Sequence, residues 1–173
     1  MSSLSANVSG PILWQTRAGY SFASIGLSAI ELMLQVYLLE LYIIAGLEPS
    51  LAGLAIATAV IWDAVSDPAM GIFSDKTPAS SVKGKRVPYL IAGAGIIGFA
   101  FYFLFNPPSN TEQSSLFSNL LIWYLVVNTA MTLFSVPHLS VINDLSNTEQ
   151  ERATFFGWRI VAGSVGLLLG IGL

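Results

Sequence analysis

Five apolar runs, each close to the length that crosses a lipid bilayer, divide this chain: roughly residues 19–45, 51–73, 87–105, 117–138 and 154–173. A membrane helix needs about 20 mostly apolar residues, and each run meets or nearly meets that length. Short polar connections separate them, GLEPS at 46–50, SDKTPASSVKGKR at 74–86, NPPSNTEQSS at 106–115 and NDLSNTEQER at 143–152. Pro49, Pro107 and Pro108 fall in two of these connections, where a helix must break. Composition agrees. Charged residues make up 10% of the chain and hydrophobic ones 54%, with a mean hydropathy of +0.69. A soluble domain carries about 25% charge, so the expected class is an all-α integral membrane protein.

The basic residues set an orientation. With the N-terminus cytoplasmic, the second and fourth connections also face the cytoplasm, and Arg17, Lys76, Lys83, Lys85, Arg86 and Arg152 all fall on that side. The two outer connections carry only Glu48 and Glu112. The leading run is too long for a cleaved signal peptide and Glu31 interrupts it, so residues 1–18 read as a cytoplasmic segment and 19–173 as the helical domain. The last run ends while still apolar. It is expected to belong to a larger bundle, completed by a continuation or a second chain, or to a short relative of one.

Several function classes fall away. There are no cysteines and one histidine, which removes disulfides, thiolate nucleophiles and multi-histidine metal sites. A net charge of −3 without basic patches interleaved with aromatics speaks against a nucleic-acid partner. Nothing resembles an enzyme, and no cofactor is expected beyond a coupling ion. Gly93-Ala-Gly95-Ile-Ile-Gly98 fits a dinucleotide fingerprint, but inside a membrane run it reads as a packing face, as does Gly166-x-x-x-Gly170. Asn7-Val8-Ser9 fits a glycosylation sequon on the wrong side of the membrane.

The chemistry sits in the charges that lie in the wrong solvent. A carboxylate at the bilayer centre costs about 2.5–3.5 kcal/mol on insertion scales, yet Glu31 falls mid-way along the first run, Asp63 mid-way along the second, and Asp67 one turn later. Asp63 and Asp67 stack on one helical face about 5–6 Å apart at Cβ, and two like charges that close resist joint ionisation. A bound monovalent cation or a shared proton resolves the conflict, and the oxygen-only set with Ser66 suits a hard ion such as Na⁺. The other reading makes Asp67-Pro68 a bending or capping element and pairs Asp63 with Arg159 or Lys76. Glu31 and Gln35 form a polar stripe that either lines a substrate cavity or bonds a neighbouring helix. Thr132 and Ser135, one turn apart on the fourth run, are further polar candidates. His138 reads as an imidazole near the interface, solvated or hydrogen-bonded, with no chemistry assigned.

Trp62-Asp63-Ala64, Asp67-Pro68, Gly71, Ser74-Asp75-Lys76, Gly84-Lys85-Arg86 and Pro88-Tyr89, then Val136-Pro137-His138, Asn143-Asp144-Leu145-Ser146, Glu151-Arg152 and Arg159 resemble, in order, the glycoside–pentoside–hexuronide:cation symporters. This is the melibiose-permease branch of the major facilitator superfamily. The resemblance implies the N-terminal part of a twelve-helix bundle and a cation-coupled secondary transporter in the cell membrane, inner or plasma. It implies a cation site at Asp63, Asp67, Ser66 and Thr132, with Na⁺ or H⁺ as the ion. It implies a substrate cavity that Arg159 faces and that Glu31, Gln35 and Ser135 join. Gly71, Asp75, Lys76, Gly84, Lys85 and Arg86 would form the loop motif between helices two and three. Lys85 and Arg86 would anchor helix three at the inner leaflet. Two aspartates of the family's sugar site are missing, since those neighbourhoods read Leu27-Ser28 and Ser135. The expected cargo is a small organic solute such as a sugar or glycoside. The sodium-dependent lysophospholipid symporters are similar too, through WDA…DP and the run Ser146–Arg152, so a lysolipid is the alternative cargo, and a truncated, non-transporting membrane protein the alternative function.

Overall fold

Four of the five helices outrun the apolar segments that predict them. The computed structural model describes residues 14–76, 86–109, 112–146 and 148–172, without the side chains of 14–17, 74–75 and 143–145. Its elements are α1 (Trp14–Ile44), α2 (Pro49–Lys76), α3 (Val87–Leu104), α4 (Gln113–Leu145) and α5 (Glu149–Gly172). Each contains a stretch long and apolar enough to cross a membrane. The fourth helix starts at 113 rather than 117 and ends at 145 rather than 138, and the fifth begins at 149 rather than 154. Most of the polar run 143–152 is therefore helical. Polarity there marks water beyond the bilayer, and the helix continues into it.

Caps flank the break after Leu145: Ser146 donates from its N–H and Oγ to Ile142 O at 2.9 and 2.7 Å, and Thr148 opens α5. Thr148 Oγ1 accepts from the backbone N–H of Glu151 at 3.2 Å, with a glutamate three residues after the cap, the capping-box spacing. Glu149 and Glu151 in the first turn also complement the helix dipole. Pro49 opens α2 instead of lying in the connection, since the first helical position has no N–H to lose.

The α1–α2 turn closes by a Schellman motif. Leu47 N–H bonds Tyr42 O at 2.9 Å and Gly46 N–H bonds Ile43 O at 3.0 Å. Gly46 has φ of 105°, a conformation open to glycine and strained for a side chain.

Helix α1 packs along α5, and α4 packs along both α2 and α3. The close approaches need small residues. A Cβ at Gly166 would collide with the backbone carbonyl of Ile25, and one at Gly170 would lie 3.1 Å from Ala29 O, so these two glycines let α5 settle on α1. Gly93 does the same for α3 against α4, with Phe134 Cβ 2.9 Å from a built Cβ, whereas Gly95 and Gly98 face open space. Only the first glycine of that expected packing face is used.

The main core, including Leu34, Leu38, Tyr42, Leu47, Leu104, Leu116 and Leu120, fills the end that carries the α1–α2 turn. A smaller cluster of Tyr20, Ile142 and Phe155 lies near the opposite end.

Candidate functional site

Helix α2 is rotated so that its motif splits between two faces. Trp62 Nε1 donates to Thr129 Oγ1 of α4 at 2.9 Å, fixing α2 against α4 at one edge. The next residue, Asp63, then turns inward, and Asp67 follows one turn on. Together with Glu31, Leu34 and Gln35 of α1 and Tyr124, Asn128, Met131, Thr132 and Ser135 of α4, they line a cavity of about 350 Å³.

The two aspartates differ in partners. Thr132 Oγ1 donates to Asp67 Oδ1 at 2.7 Å. Asp63 Oδ1 is buried with no hydrogen-bond partner among the described residues, while Asn128 lies beside the Tyr124 phenol in the same cavity. A buried polar atom left without a partner costs about 1–3 kcal/mol, so this wall is arranged for something it does not itself supply. Thr132 spends its proton on Asp67, which leaves its oxygen lone pairs available to a cation. The donors are oxygens only, as a hard ion prefers. Glu31 lines the cavity without closing on the aspartates, and among the described residues no three His, Cys, Asp or Glu side chains gather tightly enough to hold a metal ion.

Ser66 stands apart from this set. It does not line the cavity, and its hydroxyl turns back to Asp63 O at 3.5 Å. Only one residue from Asp67, it sits at the edge of the face that the two aspartates share. Pro68 remains inside a continuous α2, so the Asp67-Pro68 pair does not end the helix.

A second cavity, about 320 Å³, lies between α1 and α5. It is lined by Ser24, Leu27, Ser28 and Glu31 of α1, Ser135 of α4, and Arg159, Ile160, Gly163, Ser164 and Leu167 of α5. Glu31 and Ser135 belong to both cavities and form their shared wall. The four expected substrate residues are thus divided. Gln35 joins the aspartates, Arg159 sits in the second cavity, and Arg159 does not line the wall that holds Asp63.

Asn128 and Tyr124 were not among the sequence candidates, although Tyr124, Asn128 and Thr132 recur every fourth residue and so mark one face of α4. Ser24 and Ser28 likewise extend the Glu31–Gln35 stripe of α1 toward its start. His138 is not the solvated imidazole expected, and its Nε2 has no hydrogen-bond partner among the described residues. It is buried and stacked on Tyr20, a partner 118 positions away that no local pattern announces.

Of the loop motif, Gly71 faces Val136 of α4, with a built Cβ 4.0 Å from Cγ1, and Lys76 is exposed as the last residue of α2. Arg86 precedes α3 and is buried, 7% exposed, so its side chain packs into the protein instead of reaching for the headgroups. Gly84 and Lys85 lie outside the described residues, as do Lys83, residues 1–13 with Asn7, and the side chains of Arg17 and Asp75.

Comparison with known proteins bears on this arrangement. Residues 19–172 match the family described as MFS/sugar transport protein. The sodium-dependent lysophosphatidylcholine symporter 1 of Gallus gallus is 29% identical over 143 residues, 82% of this chain and 26% of the relative. An uncharacterized symporter of Synechocystis is 27% identical over 164 residues, 90% of this chain and 29% of the relative. The sphingosine-1-phosphate transporter of Mus musculus is 26% identical over 144 residues, 83% and 28%. The chain therefore spans about a quarter of the length of the curated relatives it matches. With five helices fit to cross a membrane and a family match over 19–172, this is a multi-pass membrane protein that belongs to the MFS/sugar transport family of the major facilitator superfamily.

Proposed function

We propose that the chain carries the coupling-ion site of a cation-driven symporter and corresponds to the first helices of its N-terminal half. The observation that carries this reading is the asymmetric aspartate pair, with Asp67 bonded to Thr132 and Asp63 Oδ1 buried and unpartnered in the same cavity. A monovalent cation seated between Asp63, Asp67 and Thr132 offsets the mutual repulsion of the carboxylates and supplies the missing partner. Na⁺ is the first choice, given the oxygen donors and the relatives named for sodium dependence, and a proton is the second. Filling the site then biases alternating access toward the substrate-loaded state. The N-terminus faces the cytoplasm, because Lys76, Arg86 and Arg152 gather at one end of the bundle and Glu48 and Glu112 at the other.

The cargo contacts the second cavity. Arg159 with Ser24, Ser28 and Ser164 offers donors to an anionic or strongly polar group, which favours a lysolipid headgroup over a neutral sugar. The names of the curated relatives agree with that choice. A small sugar-like solute is the second reading, supported by the family description.

The test is ²²Na⁺ binding to the purified chain in lipid nanodiscs. Asp63→Asn and Asp67→Asn are each expected to weaken binding about tenfold or more, the scale of losing one contact to a charged group. Undiminished binding in both variants would end the cation-site reading.

A further inference from the structure

A third polar region adjoins the cargo cavity, shares Ser24 with it, and centres on His138, which the function proposed above does not use. His138, one turn beyond Ser135 on α4, is 5% exposed. Its ring stacks on Tyr20 of α1 with centroids 4.1 Å apart and planes 5° from parallel. Phe134 tilts against it at 5.5 Å, and Phe155 of α5 meets Tyr20 edge-on. The ring faces are covered by packing, but the polar atoms are not satisfied. His138 Nε2, Tyr20 Oη, Ser21 Oγ and Ser24 Oγ are all buried and without a hydrogen-bond partner among the described residues. Native interiors leave very few such atoms unpaired, and where several gather, ordered water completes them.

Ser24 connects this cluster to the cavities. It lines the Arg159 cavity, and Ser28 and Glu31 line it further along α1. Tyr20, Ser24, Ser28 and Glu31 follow one another at spacings of four, four and three residues, which keeps them on one helical face. Four residues rise about 6 Å along a helix, a gap that one bridging water spans between two hydroxyls.

We propose that Tyr20, Ser21, Ser24 and His138 hold a chain of ordered water that carries protons between the His138 imidazole and the Glu31 carboxyl. In the tautomer with its proton on Nδ1, His138 accepts a proton at Nε2 from the adjacent water. Glu31 releases one at the other end, so the imidazole becomes imidazolium as the carboxyl becomes carboxylate, and no other bond changes. Arg159 of α5 is the charged group that faces this path, and Glu31 ends it on α1. On α2, Asp67 lies beyond Thr132. Helix α3 carries no charged residue between Val87 and Leu104, and Arg86 precedes it. The proposal stands independently of the cation-site reading, and its test does not involve Na⁺.

The chain has one histidine, so ¹⁵N-histidine labelling of the full chain in nanodiscs reports this imidazole alone. Water-edited solid-state NMR should show magnetisation passing from water to the ring, and the ¹⁵N shifts should follow protonation as the pH is lowered. Ser24→Val should abolish the water transfer while far-ultraviolet circular dichroism shows unchanged helicity. Glu31→Gln, which removes the carboxyl that ends the path, should leave the ring hydrated but slow the exchange of its proton with water. A wild-type ring that receives no magnetisation from water overturns the proposal without any variant. So does water transfer that persists in folded Ser24→Val, or proton exchange at the ring that Glu31→Gln leaves unchanged.

Discussion

The two ends of this bundle treat buried polar groups in opposite ways. At the end with the α1–α2 turn, polar atoms are spent on one another. Gln113 reaches from the start of α4 to clamp the turn, donating from Nε2 to Gly46 O at 2.6 Å and accepting from Glu48 N–H at 2.9 Å. Tyr42 Oη, fully buried, lies within hydrogen-bond distance of Leu104 O and Asn119 Oδ1, at 3.0 and 2.6 Å. From Glu31 and Asp63 toward His138 the pattern reverses. Asp63 Oδ1, Ser24 Oγ and His138 Nε2 are buried and unpartnered among the described residues. In lipid the cost of an unmet polar group is high, so a half that leaves several is a half shaped around ligands. The sealed end is the scaffold and the unsealed end is the machinery.

That contrast predicts a separation of effects, and the largest belongs to packing common to both ends. Gly166→Leu places a side chain where α1 backbone already lies, forcing α1 and α5 apart. It should cost about 3 kcal/mol or more, read as loss of the folded form in a detergent-denaturation series. At the sealed end, Tyr42→Phe removes a buried hydroxyl that lies within hydrogen-bond distance of Leu104 O and Asn119 Oδ1. A stability loss of about 1–2 kcal/mol is expected, with ²²Na⁺ binding to the remaining folded protein unchanged. A change in affinity there would show that the scaffold and the machinery are not separate. Thr148→Ala, which removes the cap of α5, should cost about 1 kcal/mol, again without affecting binding.

The same division explains what could be read before the fold was known. Helix number and the charged face of α2 follow from the bilayer alone, because lipid penalises polarity strongly enough for Asp63 and Asp67 to stand out in a linear pattern. Helix ends do not follow from it. Once α4 leaves the hydrocarbon at its polar tail, lipid no longer separates helix from loop, and the break rests on local caps, Ser146 closing α4 and Thr148 opening α5. Thr132 and Asp67 share no local signal, since their bond joins positions 65 apart, and family resemblance alone brought Thr132 to the site. Ser66 shows the converse: near in sequence to both aspartates, it turns its hydroxyl back to Asp63 O and does not line their cavity. His138 needed Tyr20, and Arg159 needed the partition into two cavities that only the packing of α5 on α1 creates.

The smallest expected effect is the sharpest test of the contrast. Asn128 lies in the aspartate cavity with Nδ2 buried and, among the described residues, held by no close hydrogen bond beyond its neighbour Tyr124, so the folded state already carries much of the cost of burying it. Replacing such a group with an apolar one of similar size removes that cost and is near neutral or stabilising. Asn128→Leu should therefore leave stability unchanged or raise it by about 0.5 kcal/mol. In the same preparation it should weaken ²²Na⁺ binding, because the cavity loses an amide oxygen and gains an isobutyl group beside Asp63. The equivalent change at the sealed end, Asn119→Leu, strips Tyr42 Oη of an acceptor at 2.6 Å and should destabilise instead. Stability changes of the same sign in the two asparagine variants would remove the distinction between a scaffold end and a machinery end.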